Sequence, residues 1–248
     1  MLEAPLLGRS ELGALGATAM KVVLAGAGAF ALEVEQYILD CHAAGHGLFG
    51  SDGSPVAKAE LVGLHFDGSV RQQDFLTKSL MVLDSSSYLP SDVHFLIAIG
   101  NAQARRKVWT NLRSRGARFA KLVHPTSWVA PSARLGEGSI ICPFAFVGIL
   151  ADVGRNVILT EHASIGHDAI VGDHSVLSPY ACITGQVTLG EACFLGTSSV
   201  VIPQKTIGPF SKISAGAIAC QDAAPNSLLT GNPAKVLRMF RVLDDCAP

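Results

Sequence analysis

Apolar residues recur along the second half of the chain at a strict six-residue interval, from Val129 through Leu135, Ile141, Val147, Val153, Leu159, Ile165, Val171, Leu177, Ile183, Leu189, Leu195, Val201, Ile207 and Ile213 to Ala219. The residue after each is usually small, as at Gly136, Gly148, Gly154, Gly166 and Gly172. The fourth after each is nearly always Ala, Ser, Val or Cys. A fixed period of this kind marks a repeat architecture. Each hexad supplies one short strand and one corner, with the branched residue inward and the small residue letting the backbone turn without clash. The same corner returns every eighteen residues, at Leu135-Gly136, Val153-Gly154, Val171-Gly172, Leu189-Gly190 and Ile207-Gly208. Three strands therefore close one triangular coil, and about five coils stack into a parallel β-helix.

The first half has a different rhythm. Lys21 to Ala25 reads as a strand, Gly26 to Ala31 as a glycine-rich turn, and the residues to about His42 as an amphipathic helix; Leu80 to Leu83 and His94 to Ile99 are further strand-like runs, and Ala102 to Arg115 is a basic-faced helix. Strands alternating with helices predict a small Rossmann-like parallel sheet. The expected organisation is a tail over 1–19, an α/β domain over 20–121, the β-helix over 122–222, and a C-terminal tail over 223–248 in which Lys235 to Leu243 forms a short amphipathic helix.

Charge and composition narrow the function. The net charge of −1 over 248 residues gives no basic field for nucleic acid. No apolar run reaches membrane-span length, and Glu3 and Glu11 interrupt the N-terminal segment, so a cytoplasmic protein without a leader is expected. The six cysteines form no CxxC pair and read as reduced apolar filler.

Two motifs carry chemistry. The first is GAGAFA, Gly26 to Ala31, at the end of the first strand. Glycines there let a backbone approach a pyrophosphate whose charge the helix N-terminus meets. The second is SIGHDAIVG, in which His167 is followed by Asp168. An imidazole suits general-base work near neutrality, and an adjacent carboxylate can hold its tautomer. His162 and His167 also form HxxxxH, a spacing to weigh for zinc. Their phase against the inward positions differs, and no third ligand falls in register, so no metal is expected.

The succession KVVLAGAGAFALEV, LIAIGNAQARRKV, KLVHPTSWVAPSARLGEGSIICP, the hexads and LLTGNPAKVLR, spanning the chain from Met20 onward, resembles the hexapeptide-repeat acyltransferases of bacterial sialic-acid and bacillosamine pathways, which N-acetylate nucleotide-linked amino sugars. The resemblance implies a left-handed β-helix, a homotrimer with active sites between neighbouring β-helices, acetyl-CoA as co-substrate, His167 as catalytic base and Asp168 as its acidic neighbour. It further implies a nucleotide-sugar site on Gly26, Gly28, Ala29, Phe30, Ser51, Asp52, Gly100 and Asn101. An acetyl-CoA groove would use Gly185, Gly196, Ala215, Gly231, Asn232, Pro233 and Lys235. Two departures stand out: Phe30 replaces a histidine common in that family's turn, and Val176 stands where some members carry a second histidine, with His174 two places earlier. Acetylation of a sugar hydroxyl, or a non-catalytic nucleotide-sugar-binding trimer, are the alternatives.

Overall fold

The computed structural model describes residues 19–65, 77, 80–83 and 89–239. Residues 1–18 and 240–248, including Cys246 and most of the expected N-terminal tail, lie outside that set. The α/β domain begins with β1 (Met20–Ala25), whose Val22, Val23, Leu24 and Ala25 are fully buried, as a parallel strand covered on both faces requires. Helix α1 (Ala29–Ala44) follows and stops at Gly45, whose φ of 72° is the left-handed C-terminal cap that glycine adopts without penalty. A hairpin of β2 (Leu48–Phe49) and β3 (Pro55–Val56) leads to β4 (Ala59–His65), β5 (Met81–Leu83) and β6 (Val93–Ile97). Helix α2 (Ala102–Ser114) is capped by Asn101, whose side-chain oxygen accepts from the Ala104 amide at 2.9 Å. The sheet runs β5-β4-β1-β6, with all three pairings parallel.

From Lys121 the chain winds as a β-helix of two- to four-residue strands in three parallel ladders. Ladder one begins at β7 (Lys121–Val123) and continues through Ile140–Ile141, Ile158–Leu159, Val176–Leu177, Phe194–Leu195 and Lys212–Ile213 to Ser227–Thr230. Ladder two runs from Trp128–Val129 to Ile218–Ala219, and ladder three from Arg134–Leu135 to Thr206–Ile207. Rungs pair residue i with i+18, as Ile140 with Ile158 and Val147 with Ile165, until the last one of ladder one, where Lys212 and Ile213 meet Leu228 and Leu229 at i+16. The inward residues from Ile141 to Ala219 are essentially inaccessible to solvent, forming one continuous apolar prism. Ladder one carries more coils than the spacing alone suggested, because the first and last turns recruit residues outside the clean hexads.

The structure relocates the turn. The left-handed residue of each corner is not the glycine after the inward position but the third residue after it: Phe144, Leu150, Asn156, His162, Asp168, His174 and Tyr180 all have φ between 54° and 64°. The glycines serve close approach between coils. A Cβ on Gly136 would stand 2.5 Å from the carbonyl carbon of Gly154, and one on Gly172 2.5 Å from that of Gly190.

Two other expectations change. The segment from Lys235 is not a helix: Lys235–Met239 is a strand, antiparallel to Ser227–Thr230. Ladder one ends in an open edge, and the turn at Gly231 (φ 94°) folds the chain back to pair with it. Residues 240–243 of the expected helix lie outside the described set. The partition at residue 121 is also less clean than composition suggested, since β2 pairs antiparallel with β7 and so extends ladder one with part of the α/β domain. That domain lies against ladder one. Outward-facing Ile140, Ile158 and Val176 are buried in the same cluster as Ile38 and Leu122, which explains why Val176 is aliphatic. Tyr37 of α1 donates to Glu161 Oε1 at 2.5 Å, and His124 Nε2 meets Asp40 Oδ2 at 3.1 Å, adding polar ties across the same contact.

Candidate active site

His167 and Asp168 occupy the corner between ladders two and three. The left-handed conformation of Asp168 (φ 55°) brings its carboxylate back onto the preceding side chain, and His167 Nδ1 donates to Asp168 Oδ2 at 2.8 Å. With Nδ1–H committed to the carboxylate, Nε2 is the basic nitrogen. Both side chains are about half exposed. The imidazole lies over Gly185, one coil on: a Cβ there would stand 2.5 Å from Nε2 and 2.7 Å from Cε1. Gly185 is thus the floor on which the ring rests. The other residues expected at the acyl donor lie elsewhere on the prism. Gly196, Ala215 and the Gly231, Asn232, Pro233 turn before Lys235 gather at the corner between ladders one and two, where the Gly196 amide bonds to Ile213 O and the Ile218 amide to Gly231 O. His167 and Gly185 flank ladder two on one side, and this group flanks it on the other.

Ladder two and its two corners carry exposed aromatic and aliphatic side chains. Trp128 and Phe146 stack at 4.8 Å, and on the corner before them Phe144, His162 and Tyr180 form a column of parallel rings spaced 5.0 and 4.7 Å. Phe144, Tyr180, Ile149 and Leu150 are each more than half exposed. His162 therefore belongs to an aromatic stack. Among the described residues, no group of three or more His, Cys, Asp or Glu side chains could hold a metal ion. The same residue set contains no helix long and apolar enough to cross a membrane.

A second concave site opens at the carboxyl ends of β1 and β6. Strand order reverses between these two neighbours, which is where open α/β sheets present a crevice. Gly26 (φ 122°) is structurally required, since a Cβ would stand 2.7 Å from Ala98 O. Gly28 and Gly100 are not: a Cβ at either meets no atom within 4 Å. Their missing side chains leave room that the fold itself does not use. Gly28 is the N-cap of α1, Ala29 its first residue, and Phe30 packs half-buried against the cluster that Phe194 and Phe210 also flank. Gly100, Asn101, Ala102 and Gln103 face Ala192, Phe194, Phe210 and Lys212 of the β-helix across a crevice of about 350 Å³.

Ser51 and Asp52 do not join this group. They sit beside Lys21, Asp92 and His94, at the amino ends of β1 and β6, roughly 17 Å away by the length of a six-residue strand. Asp52 is a turn residue. Its carboxylate accepts from the Ser54 hydroxyl at 2.6 Å and the Ser54 amide at 2.9 Å, which hold it below the usual carboxylate range.

The sequence reading missed a buried polar node. Arg105, on the helix expected to show a basic face, is wholly inaccessible to solvent and bonds to Asn156 and to the carbonyls of Ile97 and Ile99. His174, two places before Val176, is buried against Trp109 and Asn156. The signal was present in the eighteen-residue spacing of Asn156 and His174, both polar at a corner that the α/β domain covers.

No protein-family model matches the chain, and no curated protein does. Among solved structures it is similar to the acetyltransferase domain of PglB from Neisseria gonorrhoeae FA1090, with 26% identity over 88% of this chain and 99% of that one at a TM-score of 0.74. The same domain in complex with acetyl coenzyme A gives 26% identity over 89% and 100% at 0.74. A variant of perosamine N-acetyltransferase from Caulobacter crescentus, in complex with CoA and GDP-perosamine, gives 25% over 87% and 96% at 0.71. The architecture is that of the left-handed β-helix sugar acetyltransferases.

Proposed function

We propose that the protein, an acetyltransferase by its fold and its structural relatives, transfers an acetyl group from acetyl-CoA to the amine of a nucleotide-linked amino sugar, with His167 as general base. The observation that carries this reading is the His167–Asp168 pair seated on Gly185, beside an apolar face, in a fold whose relatives were solved with acetyl coenzyme A and with GDP-perosamine. The amine attacks the thioester carbonyl while Nε2 of His167 takes its proton, and Asp168 stabilises the imidazolium. The same proton passes to the departing thiolate, so that amide and free thiol form without net change of charge.

The active site is shared between copies of the chain. The crevice lined by Gly100 to Gln103 opens against ladder one and its corner with ladder three, whereas His167 stands at the corner between ladders two and three. In one chain they lie on different edges of the prism. Three copies packed through the exposed apolar face around ladder two would bring a neighbour's histidine toward each crevice, and a homotrimer also covers Trp128, Phe146, Phe144 and Tyr180. Gly28, Ala29 and the α1 N-terminus would receive the phosphates, Gly100 and Asn101 the adjoining nucleotide, with Phe30 supplying shape instead of charge. Ser51 and Asp52 take no part in this reading.

A thermal-shift series with uridine, thymidine and guanosine diphosphate amino sugars, followed by a thiol-release assay with acetyl-CoA, tests the proposal. One nucleotide class should raise the melting temperature and support turnover. Turnover of a free amino sugar at the same efficiency, with no stabilisation by any nucleotide sugar, would contradict it.

A further inference from the structure

We propose that Arg105 and Asn156 form a positioning lock that holds the Gly100–Gln103 wall of the crevice at a fixed place on the β-helix. The argument begins with burial. Arg105 is fully buried, and its side-chain bonds go to Asn156 and to main-chain carbonyls, not to a carboxylate. A guanidinium taken out of water is costly unless its donors are met, and burial lowers this one only to about 9, so it stays charged at neutral pH. Its donors go to two parts of the molecule. Nη1 reaches the carbonyls of Ile97, the last residue of β6, and of Ile99, at 3.2 Å, immediately before Gly100. Nε and Nη2 reach the carbonyl of Asn156 at 3.2 and 3.0 Å, and Nη2 reaches Asn156 Oδ1 at 2.5 Å, on the β-helix. The planar fork thus spans the domain contact, a geometry that an ammonium cannot reproduce.

Asn156 is held in turn. It is buried in the left-handed corner conformation, with φ 54°, and its Nδ2 meets His174 Nδ1 at 3.0 Å. Burial depresses His174 to about 4, so the ring is neutral at physiological pH and Nδ1 can accept. Trp109 of α2 closes the node, packing on His174 and over Gly138, where a Cβ would stand 2.4 Å from the indole. The register then links the lock to the crevice. Asn156, His174, Ala192 and Phe210 form one column at eighteen-residue steps, the first two gripping α2 and the last two lining the crevice opposite Gly100 to Gln103. A shift at Arg105 therefore changes the width of the space a ligand enters.

The consequence for substrate rests on the reading given under Proposed function; the mechanical claim does not. Asn156→Gly, which keeps the positive φ accessible, and Arg105→Lys are compared with the parent full-length protein. Amide hydrogen exchange across residues 97–104 should accelerate at least tenfold in Asn156→Gly, with residues 158–189 unchanged. The dissociation constant for the nucleotide sugar that the parent acetylates should rise about tenfold, with the KM for acetyl-CoA and kcat within twofold, and Arg105→Lys should behave like Asn156→Gly. Unchanged exchange over 97–104, or equal acceleration throughout the β-helix, would overturn the lock. If the parent binds no nucleotide sugar, the functional reading fails while exchange still decides the lock; should Arg105→Lys not fold, Asn156→Gly decides it alone.

Discussion

In the β-helix, His167, Asp168 and Gly185 fall within a single coil's length of one another in sequence, and the repeat that stacks the coils also brings the ring onto its floor. In the α/β domain, Gly28 and Gly100 lie at the same end of the sheet only because β1 and β6 are neighbours in it, with two other strands and a hairpin between them in the chain. The first site is made by local repetition and the second by long-range pairing. A lesion in the β-helix should therefore act on chemistry or on one rung, whereas a lesion in the α/β domain should act through domain placement.

The largest effect should follow removal of the base. His167→Ala should leave the fold and acetyl-CoA binding intact and lower kcat by a hundredfold or more, measured by thiol release. Parental turnover would remove His167 from the mechanism. Gly185→Ala comes next: its methyl would occupy the position 2.5 Å from Nε2, so the ring must swing outward and kcat should fall at least tenfold while circular dichroism is unchanged. Asp168→Asn keeps a hydrogen-bond partner but not the charge, and should show a smaller loss than His167→Ala.

Stability separates the two regions in another way. Ile183→Ala empties one fully buried rung and should cost about 2–5 kcal/mol in denaturant unfolding, in the range for large-to-small core changes. His174 provides a pH signature for the domain contact. Its folded-state value, near 4, lies below the ordinary histidine value of 6.5, so the unfolded chain binds more protons between those limits. Its contribution is present above pH 6.5 and is lost progressively as pH falls toward 4. The melting temperature should drop from pH 7 to pH 5, and His174→Gln should flatten that part of the dependence. Gln is suited to this corner, since Gln186 and Gln204 already hold positive φ elsewhere in the β-helix. The smallest expected effect is at Phe30. Phe30→His should preserve nucleotide-sugar affinity, and Phe30→Asp should weaken it by placing a carboxylate beside the phosphates, both read by calorimetry.

The same contrast explains what was legible in the chain. The inward positions and their phase follow from a six-residue rule that tertiary context does not override, because each coil packs only on its neighbours. His167 could be singled out because the hexad leaves its position free and an imidazole there is followed by the carboxylate of Asp168, although the support from Gly185 required knowing that i and i+18 touch. The corner conformation was misplaced because glycine usually marks positive φ, whereas here Phe144, His162 and Asp168 carry it and the glycines serve close stacking. The strand at Lys235–Met239 was misread because amphipathic spacing over so few residues cannot tell a helix from a strand completing an open edge. Asp52 was placed at the nucleotide-sugar site by the family resemblance, which does not show the hairpin that carries it to the other end of the sheet. Arg105 reads as a solvated helix charge in any one-dimensional pattern; only docking on ladder one buries it.

The central claim, that catalysis joins the crevice of one copy to His167 of another, can be tested by mixing two inactive proteins. One carries His167→Ala; the other carries Gly28→Asp with Gly100→Asp, at two positions where an added Cβ meets no atom within 4 Å. After joint dissociation and reassembly at equal amounts, random trimers should recover about a quarter of parental activity, since half the crevices and half the histidines are intact and each site draws one from each of two copies. Mixed trimers with no activity above that of the separate variants would contradict the shared site.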